Sequence, residues 1–96
     1  YPAEIENVLA QHAEIRESVV IGLQNKSAED QMVLEVMLNE KDSLTRDDIR
    51  DYLLQRLPSY MIPKTIVLVD SFPRTASSKI DLDALRKKYS DSEGMD

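Results

Sequence analysis

Ile15-Arg16-Glu17-Ser18-Val19-Val20-Ile21-Gly22-Leu23 and, further on, Met32-Val33-Leu34-Glu35-Val36-Met37-Leu38 are the two most strongly patterned stretches of the chain. In the first, Val19, Ile21 and Leu23 recur at every second position with Val20 on the opposite side, which is the period of an extended strand. In the second, Met32, Leu34, Val36 and Leu38 share one face and Glu35 lies on the other. The spacing predicts strands over 15–23 and 31–39, separated by Gly22 and the polar run Gln24-Asn25-Lys26-Ser27. The β-branched and aliphatic run Thr65-Ile66-Val67-Leu68-Val69 predicts a third strand over 65–70.

Helical periodicity surrounds these strands. Pro2 and Glu4 suit a helix start, and Ile5, Val8, Leu9 and His12 follow at i, i+3, i+4 and i+7, so a first amphipathic helix is expected to end near His12. After the turn Glu40-Lys41-Asp42-Ser43, Thr45 and Asp48 form a capping-box pair that opens a second helix. Its stripe is Ile49, Tyr52, Leu53 and Leu57, and it is expected to stop before Pro58. Pro58 and Pro63 bracket an irregular connection. Asp81 is placed to cap a final short helix with Leu82, Leu85 and Tyr89 inward and Arg86, Lys87 and Lys88 toward its C-terminus. The predicted order is α-β-β-α-β-α, an α+β fold with a small three-stranded sheet and about three helices packed on it.

Composition narrows the function. The 96 residues allow one domain, and 42% apolar with 31% charged side chains fits a folded chain. No apolar run is long enough to cross a membrane, no secretion leader is visible at the start, and cysteine is absent. A reducing cytoplasm is therefore the expected compartment. One histidine without cysteine argues against a zinc centre, and a net charge of −6 argues against nucleic-acid or anionic-membrane partners. The chain opens at Tyr1, so it is expected to be a piece of something longer. Its charge is uneven: 1–63 carries −6, 64–89 carries +3, and the acidic stretch 90–96, with −3, reads as a flexible tail or linker after a domain at 1–89.

Chemistry has few places to sit. With only Gly22 and Gly94 there is no glycine-rich phosphate cradle. His12 lies on an apolar stripe and reads as structural, while Asp47-Asp48 and Asp81-Asp83 sit at helix starts where capping and the dipole account for them. The remaining feature is Lys79, set among small residues in Phe72-Pro73-Arg74-Thr75-Ala76-Ser77-Ser78-Lys79-Ile80-Asp81, on an exposed loop between a strand and a helix start.

Three runs in order, Pro2-Ala3-Glu4-Ile5-Glu6, Leu57-Pro58-Ser59-Tyr60-Met61-Ile62-Pro63 and the segment 72–81, resemble the C-terminal subdomain of the adenylate-forming enzymes. That family comprises peptide-synthetase adenylation domains, acyl-CoA synthetases and luciferases. The Leu-Pro-x-Tyr-Met-Ile-Pro run, with Asp81 and Leu85, is most similar to the peptide-synthetase or D-alanine-ligase branch. The resemblance implies a mobile lid that supplies Lys79 as catalytic residue on the ATP-phosphate and substrate-carboxylate side. A large N-terminal subdomain would bind most of ATP and Mg2+. It also implies activation of a carboxylic acid, most simply an amino acid, and its passage to the phosphopantetheine of an acyl or peptidyl carrier protein. Alternatives are a carrier-docking module using Lys64, Arg86, Lys87 and Lys88, a solvated helix end at those same residues, or the lid of an acyl-CoA synthetase. Ser77-Ser78 stands where the family usually has Asn-Gly, so the loop is expected to do without a positive φ and to be stiffer. The proline-containing linker common after this subdomain is not visible beyond Tyr89.

Overall fold

The computed structural model describes residues 2–23 and 32–94; Tyr1, the expected turn at 24–27, position 31 and the last two residues lie outside the described residues. Strands β1 (Ile15–Gly22), β2 (Met32–Leu38) and β3 (Thr65–Val69) form one sheet in the order β1-β2-β3. β1 and β2 pair antiparallel, with Val19 opposite Glu35 and Val20 opposite Leu34. β2 and β3 run parallel, which requires a crossover, and α2 (Arg46–Leu54) supplies it. With α1 (Pro2–Ala10) and α3 (Leu82–Gly94) the order is α-β-β-α-β-α, as the periodicities predict.

Strand alternation sorts the core into two layers. Val20, Leu34, Val36 and Ile66 pack with Ile5 and Leu9 of α1 and with Ile49 and Leu53 of α2. On the other face Val19 and Ile21 pack with Phe72 and with Leu85 of α3. Each fully buried aliphatic side chain contributes roughly 1.5–3 kcal/mol, so these faces hold the helices in place. A register shift between Ile15 and Glu17 brings Ile15 into the first layer despite its odd spacing from Val20. Glu17, Val19 and Ile21 then keep a common parity toward the α3 side.

Polar side chains finish the element ends. Thr45 and Asp48 form the predicted capping box, with bonds of 3.1 and 2.9 Å. Glu6 accepts the backbone N–H of Val20 at 2.9 Å, tying α1 to the edge strand. His12 Nδ1 accepts the N–H of Glu14 at 3.0 Å and its ring meets Tyr52 edge-on, so the histidine is a turn residue, as its stripe position suggests. The connection between the prolines is a short 3-10 turn, Ser59–Met61, with Met61 buried.

Two expectations about the last helix change. Leu82 is exposed rather than inward, because Phe72 and Ile80 fill the layer next to Leu85. Helical backbone also runs to Gly94, past the expected end near Tyr89. Positions 90–93 contain no proline or glycine to stop it, and the first such residue is Gly94.

Candidate active-site hairpin

The segment around Lys79 is a tight hairpin. Arg74 and Ile80 form an antiparallel bridge. Inside it the N–H of Thr75 donates to the Lys79 carbonyl at 2.8 Å, and the N–H of Ser78 donates to the Thr75 carbonyl at 2.9 Å. These bonds describe a turn followed by one left-handed residue, and Ser78 takes that position with φ of 69°. The expectation that Ser77-Ser78 avoids a positive φ is therefore corrected: closure of the three-residue loop imposes the left-handed backbone whichever residue occupies it. Ser78 is where the family's glycine would fit without strain.

The hairpin is anchored at both ends. The N–H of Asp81 donates to the Pro73 carbonyl at 2.8 Å, and the Asp81 carboxylate caps α3 by accepting from the N–H of Ala84 at 3.0 Å. Phe72 and Ile80 enter the layer with Leu85. Arg74 sends one guanidinium nitrogen to the Ser78 carbonyl at 3.3 Å and another to the carboxylate of Glu17 on β1. Lys79 itself is exposed, and its ammonium has no hydrogen bond or ion pair among the described residues.

The other cations named from the sequence are dispersed. Lys64 precedes β3, and its carbonyl accepts from Arg50 of α2 at 3.1 Å, on the layer opposite α3. Arg86 pairs with Asp83 one turn away at 3.1 Å, with both groups open to water. Lys88 pairs at 3.0 Å with Glu35, which is only 1% exposed. Lys87 is exposed and among the described residues has no such partner. Arg86 and Lys87 are both exposed on α3.

Sequence reading missed the Glu35 cluster. Its carboxylate receives Lys88 and the hydroxyl of Tyr89 on one oxygen, while Oε1 is buried without a partner among the described residues. Burial, reinforced by the hydrogen bond and charge of Glu35, pushes the Tyr89 hydroxyl pKa well above its usual value. The available signal was an acid at a covered register position of the central strand, which requires a partner from the element above it. A cavity of about 460 Å³ at the carboxyl ends of β2 and β3 is lined by Arg16, Asn39, Lys41 and Asp70 but not by Lys79.

An α+β domain with covered sheet faces, offering from a braced hairpin a lysine that is unpaired among the described residues, is the class that fold and geometry define. Residues 4–79 match the family described as AMP-binding enzyme C-terminal domain, and the chain belongs to it. Gramicidin S synthase 2 of Brevibacillus brevis is 42% identical over 82 residues, covering 85% of this chain and 2% of the synthase. The mitochondrial medium-chain acyl-CoA ligase ACSF2 of Danio rerio is 30% identical over 99% of this chain and 16% of the ligase. The solved structure of Mycobacterium tuberculosis fatty acyl CoA synthetase superposes with a TM-score of 0.76 and 30% identity, over 96% of this chain and 18% of that one. The chain therefore spans a small part of the proteins it matches, and the domain is one shared by peptide synthetases and acyl-CoA ligases. No described helix is long and apolar enough to cross a membrane.

Proposed function

We propose that this chain is the mobile lid of an ATP-dependent, adenylate-forming ligase, and that Lys79 is its catalytic residue. The observation that carries the reading is the exposed ammonium of Lys79, without a partner among the described residues, beside the loop of an anchored hairpin. In adenylate formation a carboxylate oxygen bonds to the α-phosphorus of ATP as the bond to pyrophosphate breaks. Two anions must approach and negative charge spreads over the transferring group. A compact ammonium with three donors neutralises that charge when a closing lid carries it into a water-poor cleft. Closure also shields the adenylate from hydrolysis.

Toward ATP and Mg2+ this chain's part, on this reading, is the Lys79 ammonium on the phosphate side, the rest of the site belonging to a large N-terminal subdomain. The greater identity to the peptide synthetase favours an amino acid as the activated acid and a carrier-bound phosphopantetheine thiol as acceptor. For the thiol step the lid turns and withdraws Lys79. Replacing Lys79 by Ala in the full-length enzyme should slow ATP–pyrophosphate exchange roughly 10²–10³-fold, by analogy with deleting one charge-stabilising donor. Transfer from a preformed adenylate should change much less. Equal loss in both half-reactions, or in neither, would remove Lys79 from this role.

Carrier docking is a second role for the same chain, favoured by the open cations Arg86 and Lys87 on α3. It predicts that Lys87→Glu raises the carrier concentration needed for transfer and weakens the salt dependence of that step.

A further inference from the structure

We propose that Arg74 and Glu17 are positioning residues for Lys79, forming a brace between β1 and the hairpin that acts in adenylate formation and not in thiol transfer. This rests on the assignment of Lys79 above. The hairpin tip has little of its own to fix it: two backbone bonds and a 3.0 Å contact between the Thr75 and Ser77 hydroxyls. It also contains a non-glycine residue in the left-handed region, a conformation that persists only where the surroundings enforce it. Loop closure sets that backbone, and Arg74 ties it to the sheet from outside the loop. Its fork holds the carbonyl of Ser78, the residue immediately before Lys79, and at the same time the carboxylate of Glu17.

Glu17 is a suitable anchor because it shares its strand and parity with Val19 and Ile21, which are buried against Phe72 and Leu85. The sheet's orientation is thereby passed to the peptide that carries Lys79. A planar guanidinium can serve two acceptors in fixed directions, whereas an ammonium on a flexible stem cannot reproduce that geometry. Glu17 has a second effect. By pairing with Arg74 it keeps a competing cation away from the anion that Lys79 is to meet, so the tip offers a single positive centre.

The test uses the full-length enzyme and compares ATP–pyrophosphate exchange with transfer from a preformed adenylate. Arg74→Met should lower kcat of exchange about tenfold to a hundredfold, as a small displacement of a catalytic group does, with transfer nearly unchanged. Arg74→Lys should fail to restore exchange, and Glu17→Gln should lose less than Arg74→Met. In a Lys79→Ala background Arg74→Met should cause no further loss, because a positioning residue has nothing left to position. If Lys79→Ala leaves exchange intact, the catalytic assignment fails and the brace fails with it. Should Lys79→Ala slow exchange while Arg74→Met does not, or should the two losses multiply, the assignment stands and the brace is overturned. If Arg74→Met does not fold, the comparison of Arg74→Lys and Glu17→Gln in the two half-reactions decides the matter by the same criteria.

Discussion

Lys79 and Lys88 sit on either side of the start of α3, yet their surroundings differ in nearly every respect. Lys88 reaches from a half-exposed position to a carboxylate that is 1% exposed, and with Tyr89 it ties α3 to the sheet. Lys79 meets no partner among the described residues and projects from a hairpin closed by backbone bonds between Thr75, Ser78 and Lys79. A cation committed to a buried acid cannot leave it without exposing an uncompensated charge. A cation left free remains available to an external anion. The contrast separates the charge that holds the domain together from the charge that it offers.

The largest effect that would break this contrast is kinetic. Lys79→Ala should cost adenylate formation about 2.7–4 kcal/mol of barrier, yet move the unfolding free energy by less than about 0.5 kcal/mol. Chemical unfolding alongside the exchange assay checks both halves. Lys88→Met should do the reverse. It leaves the buried Glu35 carboxylate with the Tyr89 hydroxyl but no cation among the described residues, and should lower stability by about 1–3 kcal/mol with little effect on exchange. Combining Lys88→Met with Glu35→Leu should recover part of that loss, because replacing both partners removes the buried charge itself. A Lys88→Met chain as stable as the parent would show that Glu35 needs no cation, and the contrast would vanish.

Much of this was legible in the sequence, for physical reasons that differ between elements. The strands announced themselves because their two faces are both apolar yet offset, as with Val19 against Val20, and Thr45 with Asp48 marked the start of α2 by local chemistry alone. Lys79 was legible only through its resemblance to a family, since an exposed lysine on a loop carries no pattern of its own. Its brace was not legible at all. Glu17 and Arg74 are 57 positions apart and meet only because β1 and the hairpin share one side of the sheet. The same holds for Glu35 with Lys88 and Tyr89. The left-handed Ser78 is hidden from residue preference because loop length overrides it, and that length emerges only with the pairing of Arg74 and Ile80.

A smaller effect sharpens the role of α3's anchor. The Tyr89 hydroxyl is raised in the folded state by burial first, then by the hydrogen bond and charge of Glu35. A raised folded-state pKa means that the folded chain keeps its proton longer than the unfolded one. The contribution is therefore complete below the unfolded tyrosine value of about 10 and is lost as pH rises above it. Tyr89→Phe should flatten this alkaline loss relative to the parent, read as the slope of unfolding free energy against pH. An unchanged slope would place the Tyr89 hydroxyl outside the Glu35 cluster in solution.

The smallest effect concerns the hairpin alone. Glycine at 78 would adopt φ of 69° without a Cβ penalty, whereas serine does so at a cost of about 1–2 kcal/mol. Glycine also enlarges the unfolded ensemble, which offsets roughly 0.5–1 kcal/mol of that gain. Ser78→Gly should therefore stabilise the chain by at most about 1.5 kcal/mol by chemical unfolding. Its effect on exchange should be smaller than that of Arg74→Met, because the carbonyl that Arg74 holds belongs to the backbone and survives the substitution. If Ser78→Gly instead slowed exchange as much as Arg74→Met, the serine side chain rather than the brace would be orienting Lys79.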